Sequence, residues 1–324
     1  MPISAASLRA GDRRVLAKAI TLVESTRAVD AEPAATLIEA LLPYAGKALR
    51  ISVSGPPGAG KSTFIDALGS WLVAQGYKPA VLAVDPSSML SGGSVLGDKT
   101  RMQRLSVEQG VFVRPSPASG LLGGVASRTR EVILLCEAAG HDVILVETVG
   151  VGQSEASAVG MTDIFALLQL PNTGDELQAM KKGNLELADI VMVNKSDLDP
   201  AAASRAQIQI GGALRALAHS GARSAAVHCV SALAGKGIEE CWNSIQTLAR
   251  QRRESGAFED LRRRQQLDWM WELIREQLVA RFGSHPAVVE NLPRITHEVA
   301  SSKTAPGLAA RRLVTLFEAG SQSR

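Results

Sequence analysis

Apolar residues recur at helical spacing from the start of the chain. Leu16, Ile20 and Val23 follow Asp12, which is placed to cap a helix. A second helical run follows Asp30, with Pro33 in its first turn, Ile38, Leu41 and Leu42 as its apolar face, and Gly46 as a left-handed C-terminal cap. At Leu49 the pattern changes. Short apolar runs at 49–54, 80–84, 111–114, 143–147, 164–170, 190–194 and 226–230 read as strands. Several are continuously apolar, as strands covered on both faces are. Helical segments at 61–74, 126–139 and 201–217 separate them. This alternation predicts an α/β fold with a mainly parallel sheet covered by helices. After about Arg250 the pattern is helical again. Arg-rich runs at 252–253 and 262–264 flank a helix with Leu267, Trp271, Ile274 and Leu278 on one stripe, an interface for the main domain or for a second copy of the chain. The expected organisation is an N-terminal helical extension (1–47), an α/β domain (48–252) and a helical C-terminal extension (253–324).

Composition narrows the class without naming an activity. The 324 residues are 46% hydrophobic and 21% charged, which excludes a disordered or fibrous chain. Lys and Arg number 35 against 32 Asp and Glu, and a net charge of +3 with 4% aromatics gives no footprint for nucleic acid. No apolar run reaches the roughly 20 residues that span a bilayer, so no membrane partner is expected. Residues 1–14 carry charge but no apolar run leading to a cleavage site, so no signal peptide is expected. The three cysteines contain no C-x-x-C pair, which argues against a disulfide framework or a Cys-based zinc site and for a reducing cytoplasm.

The strongest local signal is Gly55-Pro56-Pro57-Gly58-Ala59-Gly60-Lys61-Ser62-Thr63, a G-x-x-x-x-G-K-[ST] phosphate loop between a strand and a helix. Its glycines let backbone amides approach phosphates, and the helix start adds partial positive charge. Lys61 is placed to bridge β- and γ-phosphates, and the Ser62 hydroxyl to ligate Mg²⁺. The nucleotide is read by Asn194-Lys195-Ser196-Asp197 at a strand end. Guanine presents N1–H and N2–H₂ side by side, and the Asp197 carboxylate accepts both; adenine offers no such pair. Asn194 can tie this loop to the phosphate loop, and the Lys195 stem can cover the base. Ser231-Ala232-Leu233 follows the next strand, with amides suited to guanine O6. Together these favour GTP and GDP over adenine nucleotides.

Two strands lead into acids. Asp85, in Asp85-Pro-Ser-Ser, and Glu147, in Glu147-Thr-Val-Gly150, are positioned to hold Mg²⁺ directly or through water. Gly150 is a backbone donor for a γ-phosphate. Between them, the glycine-rich stretch 91–101 ends in Asp98-Lys-Thr-Arg101, read either as a phosphate-sensing switch or as a solvent loop capping the next helix. The segment 172–183 carries Lys181 and Lys182, which reach phosphates or a partner, or end a solvated helix. The five histidines are scattered without metal-ligand spacing.

GPPGAGKST, VDPSS, GGSVLGDKTRM, ETVGVGQSE, GDELQAMKKG and NKSD occur here in one order. In combination they resemble the MeaB/ArgK-type P-loop GTPases, chaperones of adenosylcobalamin-dependent acyl-CoA mutases such as methylmalonyl-CoA mutase. The resemblance implies a Mg²⁺-dependent GTPase that gates cofactor loading and protects or reactivates such a mutase, with slow intrinsic turnover stimulated by the partner. It places Ser62, Asp85, Asp98 and Glu147 in the metal shell and Gln153 in the second switch. Lys181 and Lys182 fall in a third switch that responds to the mutase, with Lys181 the partner-triggered electrostatic element. It also implies a homodimer formed through the C-terminal extension. Two rivals are a nickel-type metal-delivery GTPase, disfavoured by the lack of Cys/His sites near the switches, and a P-loop kinase, disfavoured by NKSD.

Overall fold

The computed structural model describes residues 3–84, 102–108, 110–116, 122–148, 153–171, 182–219 and 225–321. Three helices come first: α1 (Ala5–Arg9), α2 (Arg13–Val23) and α3 (Ala28–Leu41). Asp12 caps α2 by accepting from the Arg14 and Val15 amides, and Leu16, Ile20 and Val23 are buried as their spacing requires. In α3 two expectations fail. The chain enters from an extended Arg27, so the helix starts at Ala28 and Pro33 sits in the second turn, not the first. The α-helix then tightens into a 3₁₀ turn, Leu42–Tyr44, which carries Leu42 out to 56% exposure; Leu41 is buried and Ile38 packs partly buried beside it as expected, and Leu37 takes the place of Leu42 on that face.

All seven expected strands form, with ends within two residues of the sequence reading: β1 (Leu49–Ser54), β2 (Pro79–Val84), β3 (Phe112–Ser116), β4 (Val143–Thr148), β5 (Ile164–Gln169), β6 (Ile190–Val193) and β7 (Ala226–Cys229). They make one sheet in the order β3-β2-β4-β1-β5-β6-β7. Every pairing is parallel. The connecting helices are α4 (Lys61–Ala74), α5 (Gln103–Val107), α6 (Leu122–Ala138), α7 (Gln153–Val159), α8 (Lys182–Leu187) and α9 (Pro200–His219). After β7 come α10 (Ile238–Glu254), α11 (Ala257–Ser284), α12 (Pro286–Ala300) and α13 (Pro306–Ser321). Strand order reverses at β1, between β4 and β5, which opens a crevice at the C-terminal strand ends beside the loop after β1.

Strand alternation divides the core. Ile51 and Val53 of β1, with Ile164, Ala166 and Leu168 of β5, face Phe64, Ile65 and Leu68 of α4 and Trp242 and Ile245 of α10. On the opposite face, Ala80, Leu82, Ile144 and Val146 meet α6 and the N-terminal helices, while Phe165, Leu167, Val191 and Val193 meet α8 and α9. The same face of β1 carries Ser52 and Ser54. Each buried hydroxyl finds a partner beside α7: Ser52 Oγ lies 2.9 Å from Thr162 Oγ1, and Ser54 Oγ donates to Glu155 Oε1 at 3.4 Å.

At the other end of the strands lies an ionic network. Arg262 grips Asp163 with two 2.7 Å bonds and also donates to Ala48 O at 2.6 Å. Arg50 grips Glu137 of α6 at 2.7 and 2.9 Å, and its amide donates to Asp163 Oδ2 at 2.8 Å. Arg252 of α10 pairs with Asp189, whose carboxylate also accepts from the Phe165 amide at 2.9 Å. Asp163 and Glu137 side chains are fully buried, and each charge is matched by a bidentate arginine. The network joins the chain before β1, the sheet, α6, α10 and the start of α11.

Two compact units result, Met1–Gln265 and Gln266–Arg324. The sequence places its boundaries at 47/48 and 252/253; the three N-terminal helices and the start of α11 lie in the first unit. In the second unit, Val288, Ile295 and Ala309 are buried, and Phe317 lies 5.6 Å from the Phe282 ring and 5.2 Å edge-on from His285.

Within α6, burial pushes the Glu131 carboxyl up to about 7, with Arg128 acting in the opposite direction. The folded state therefore holds this proton more tightly than the unfolded chain, and stability falls as pH rises from about 4.5 through 7. Glu131→Gln should stabilise the protein at pH 8 by on the order of 1–3 kcal/mol and change little at pH 4.5, read from urea unfolding at the two pH values.

Candidate nucleotide site

The site is assembled from loops at the C-terminal ends of β1, β4 and β6 and the loop after β7. Gly55 leaves β1 with φ +150°, and a Cβ there would lie 2.5 Å from Leu168 O of β5. The loop closes at Gly60, the N-cap of α4, with φ +89°. A Cβ on Gly60 would lie 2.6 Å from Asn194 Nδ2. Only glycine satisfies both the left-handed backbone and these close approaches. The first helical bond of α4, Phe64 N to Gly60 O at 2.8 Å, directs the preceding amides of Lys61, Ser62 and Thr63 out of the helix start toward the loop. Pro57 and Gly58 are exposed at the tip and Ala59 is buried beneath it.

Lys61 folds back across the loop, its Nζ donating to Gly55 O at 2.8 Å and Pro56 O at 3.2 Å. The ammonium is thus held over the space that the loop encircles. Ser62 Oγ donates to Glu147 Oε1 at 2.7 Å. A hydroxyl and a carboxylate from two separate strand ends therefore converge, and an all-oxygen donor pair suits Mg²⁺ better than a softer metal. Asp85, Asp98, Gly150 and Lys181 lie outside the described residues. Gln153 opens α7, and its side chain is also outside them. Among the described residues, no cluster of three His, Cys, Asp or Glu side chains could hold a metal ion.

The loops after β6 and β7 are tied to the phosphate loop by one side chain. Asn194, 2% exposed, donates from Nδ2 to Ala59 O at 2.8 Å and accepts from Ala232 N at Oδ1 at 3.0 Å. Lys195 takes a left-handed φ of +59°, turning the chain so that Ser196 N reaches Val230 O at 3.1 Å. Asp197 is exposed, with its carboxyl held below the usual range. The Ser231 hydroxyl is the main cause, followed by its own backbone N–H, with Lys236 contributing a weaker attraction. Ser231 and Lys236 pair as an antiparallel bridge, with bonds of 2.9 and 3.1 Å.

The sequence reading assigned the amides of residues 231–233 to guanine O6. Two of them are engaged within the protein: Ser231 N with Lys236 O, and Ala232 N with Asn194 Oδ1. Leu233 stands 78% exposed beside Ala232. Sequence reasoning missed the Ser231 hydroxyl as the main group holding the Asp197 carboxyl below its usual range, and it missed Lys236 beside it. The only sequence signal for Ser231 was its adjacency to the strand end.

A parallel sheet reversing at β1 and a phosphate loop with its lysine and serine in place are the fold and loop of a P-loop GTPase. The family described as "Methylmalonyl Co-A mutase-associated GTPase MeaB" matches residues 16–287, and the chain belongs to it. The GTPase ArgK of Escherichia coli is 44% identical over 275 residues, covering 84% of this chain and 83% of that protein. The mouse methylmalonic aciduria type A homolog, mitochondrial, is 46% identical over 320 residues, covering 95% of this chain and 77% of that protein. A crystal structure of a protein named LAO/AO transport system kinase superposes with a TM-score of 0.76 at 34% identity, covering 97% of this chain and 96% of that one.

Gly60→Ala should weaken GDP binding at least tenfold, because the left-handed backbone costs about 1–2 kcal/mol before the contact with Asn194 is counted. Isothermal titration with GDP reads the effect.

Proposed function

We propose that this GTPase is a Mg²⁺-dependent chaperone of an adenosylcobalamin-dependent acyl-CoA mutase, gating cofactor loading and protecting or reactivating the mutase. The observation that carries the nucleotide half is the Ser62–Glu147 pair standing beside Lys61, with Asn194 locking the guanine-reading loop to the same phosphate loop. Support for the partner half is the family description, which names association with methylmalonyl-CoA mutase, and the mouse relative named for methylmalonic aciduria.

In this reading the β- and γ-phosphate oxygens, charged acceptors, draw Lys61 Nζ away from the neutral carbonyls of Gly55 and Pro56. Ser62 and Glu147, joined by Asp85 and Asp98, would hold Mg²⁺, which neutralises charge developing on the transferred phosphoryl group. The amides of the α4 start and of Gly150 receive phosphate oxygens. Asp197 accepts the guanine N1–H and N2–H₂ protons, and the Lys195 stem covers the ring. Gln153, in the second switch, belongs to the catalytic set, and Lys181 supplies positive charge when the mutase binds. GTP orders the loops that touch its γ-phosphate, and hydrolysis releases them.

A homodimer is part of the proposal. Leu267, Trp271 and Leu278 are each more than half exposed on α11, and Met270 and Val279 extend that apolar surface, the feature a second copy would cover. No described helix is long and apolar enough to cross a membrane. Cys136, Cys229 and Cys241 are all free, as in a reducing cytoplasm. A kinase, the activity in the name of the superposed protein, is the specific rival, and base recognition separates the two readings.

Asp197→Asn replaces an acceptor with an amide that donates. GTP affinity should fall about a hundredfold or more, while xanthosine triphosphate, which has a carbonyl where guanine has its amino group, should gain. A preference for ATP in the wild-type protein would support the kinase instead. Adding an adenosylcobalamin-dependent acyl-CoA mutase should raise GTP turnover about tenfold or more, and Lys181→Ala should abolish that rise without changing the basal rate, on the scale of a removed transition-state charge. Unchanged turnover and no co-elution with any such mutase would remove the chaperone reading and leave the GTPase standing.

A further inference from the structure

α7 has seven residues, too few for a helix to hold itself in water. It packs on β1, β4 and β5, and side chains from other elements hold both of its ends. Glu155, in the first turn, and Ala158, one turn on, are buried at 1% and 2% exposure. Glu155 Oε1 accepts at 3.4 Å from the hydroxyl of Ser54, the fully buried last residue of β1. Glu155 closes the run ETVGVGQSE, yet the proposed contacts to phosphate, metal and base do not include it.

At the other end, Gln265 of α11 donates from Nε2 to Val159 O and to Thr162 O, each at 2.8 Å. Val159 is the last residue of α7, so its carbonyl is one that a helix end leaves without an intrahelical donor. Thr162 Oγ1 donates to Ala158 O at 2.7 Å and lies 2.9 Å from Ser52 Oγ of β1. Arg262, one turn before Gln265, grips Asp163, the residue that follows. The last turn of α7 is therefore pinned to β1 and to the start of α11, while its first turn meets β1 at Ser54. Ser54 immediately precedes Gly55, whose carbonyl holds Lys61 Nζ at 2.8 Å and whose backbone is pressed against Leu168 O of β5.

We propose that α7 braces the phosphate loop, with Glu155 as a positioning residue for nucleotide binding and Gln265 as the far support of the brace. The Ser54–Glu155 bond fixes the point where β1 passes into the loop. The Gly55 carbonyl and the Lys61 ammonium then stand in place before nucleotide arrives. Gln265 acts through the helix: with Val159 and Thr162 held, α7 does not slide along the sheet, and Glu155 stays beside Ser54. Without the brace, nucleotide must order the root of the loop itself and loses affinity by that cost. On the proposed reading the base is read by loops on other strands, after β6 and β7, so base discrimination is not affected.

The test is isothermal titration of GDP and of inosine diphosphate, which lacks the 2-amino group of guanine, so that the ratio of the two affinities reports base reading alone. The proteins are wild type, Ser54→Ala, Glu155→Gln, Gln265→Leu and the Ser54→Ala/Gln265→Leu double variant. Ser54→Ala and Gln265→Leu should each weaken GDP binding about three- to tenfold and keep the ratio within about twofold of wild type. Glu155→Gln retains an acceptor oxygen for Ser54 and should bind GDP within about twofold of wild type. The two losses should not add: the double variant should bind GDP within about twofold of Ser54→Ala, because Gln265 reaches the loop only through the Ser54–Glu155 bond. Wild-type GDP affinity in Gln265→Leu overturns the proposal, and that variant, remote from the loop, decides the matter even if Ser54→Ala fails to fold. So does wild-type affinity in Ser54→Ala, a loss in Glu155→Gln equal to that in Ser54→Ala, or additive losses in the double variant. A changed ratio, the mark of general damage to the site, overturns it as well.

Discussion

The Asn194 side chain is the tie on which the nucleotide site depends. One amide donates to Ala59 O in the loop after β1 and accepts from Ala232 N in the loop after β7, while its own backbone follows β6. On the proposed reading, phosphate grip and base reading come from separate strands, and without a fixed distance between them a nucleotide would have to order each in turn. A buried amide with both ends satisfied sets that distance before binding. It also explains Gly60, because the approach of Nδ2 leaves no room for a Cβ. The Lys195 backbone is left-handed for a related reason: the chain must turn sharply after Asn194 to bring Asp197 against Ser231.

The opposite ends of the strands are held differently. There Asp163, Glu137 and Asp189 are gripped by Arg262, Arg50 and Arg252, all drawn from elements that flank the sheet or lie at its base. Buried ion pairs of this kind contribute little net stability against apolar replacements, but each is costly to break singly. Their effect is to fix geometry. Arg262 reaches Asp163 and Ala48 O together, so the start of α11 is pinned to the chain just before β1. The sheet is therefore clamped at its base by charge and joined at its working edge by a neutral amide. On the proposed reading, charge at the working edge remains available for phosphate and metal.

Much of this was legible in the sequence, for identifiable reasons. Strand positions followed from continuous apolar runs, and the phosphate loop and NKSD from fixed spacing of residues whose chemistry is local. Period-three-and-four patterns located α2, but α3 was misjudged because Asp30 resembles a cap when it is instead a first-turn acid. Ser52 and Ser54 gave no signal of their polar partners, because Thr162 and Glu155 lie more than a hundred residues away in sequence. The ionic network was invisible for the same reason. Arg252 and Arg262 stood in Arg-rich runs, and only the fold brings Asp189 and Asp163 to them. The amides of Ser231 and Ala232 were legible as donors, but not that the protein itself uses them.

One helix concentrates what the sequence spread across several motifs. α4 begins at the phosphate loop, presents Lys61 and Ser62 in its first turn, caps α5 with Asp66 in its second by accepting from the Leu105 amide, and leaves space at Gly69 for the Leu105 side chain in its third. Its buried side packs Phe64, Ile65 and Leu68 against β1 and β5. A displacement of α4 on that surface would disturb core packing as dense as a crystal, so the helix acts as a rigid bar. Phosphate contact, the Ser62–Glu147 oxygens and the cap on α5 are consequently fixed relative to one another. Groups on one rigid element need not be ordered separately when nucleotide arrives, so binding free energy is left for the parts of the chain that do not share it. β1, α4, β6 and the loop after β7 thus form one preassembled part of the site.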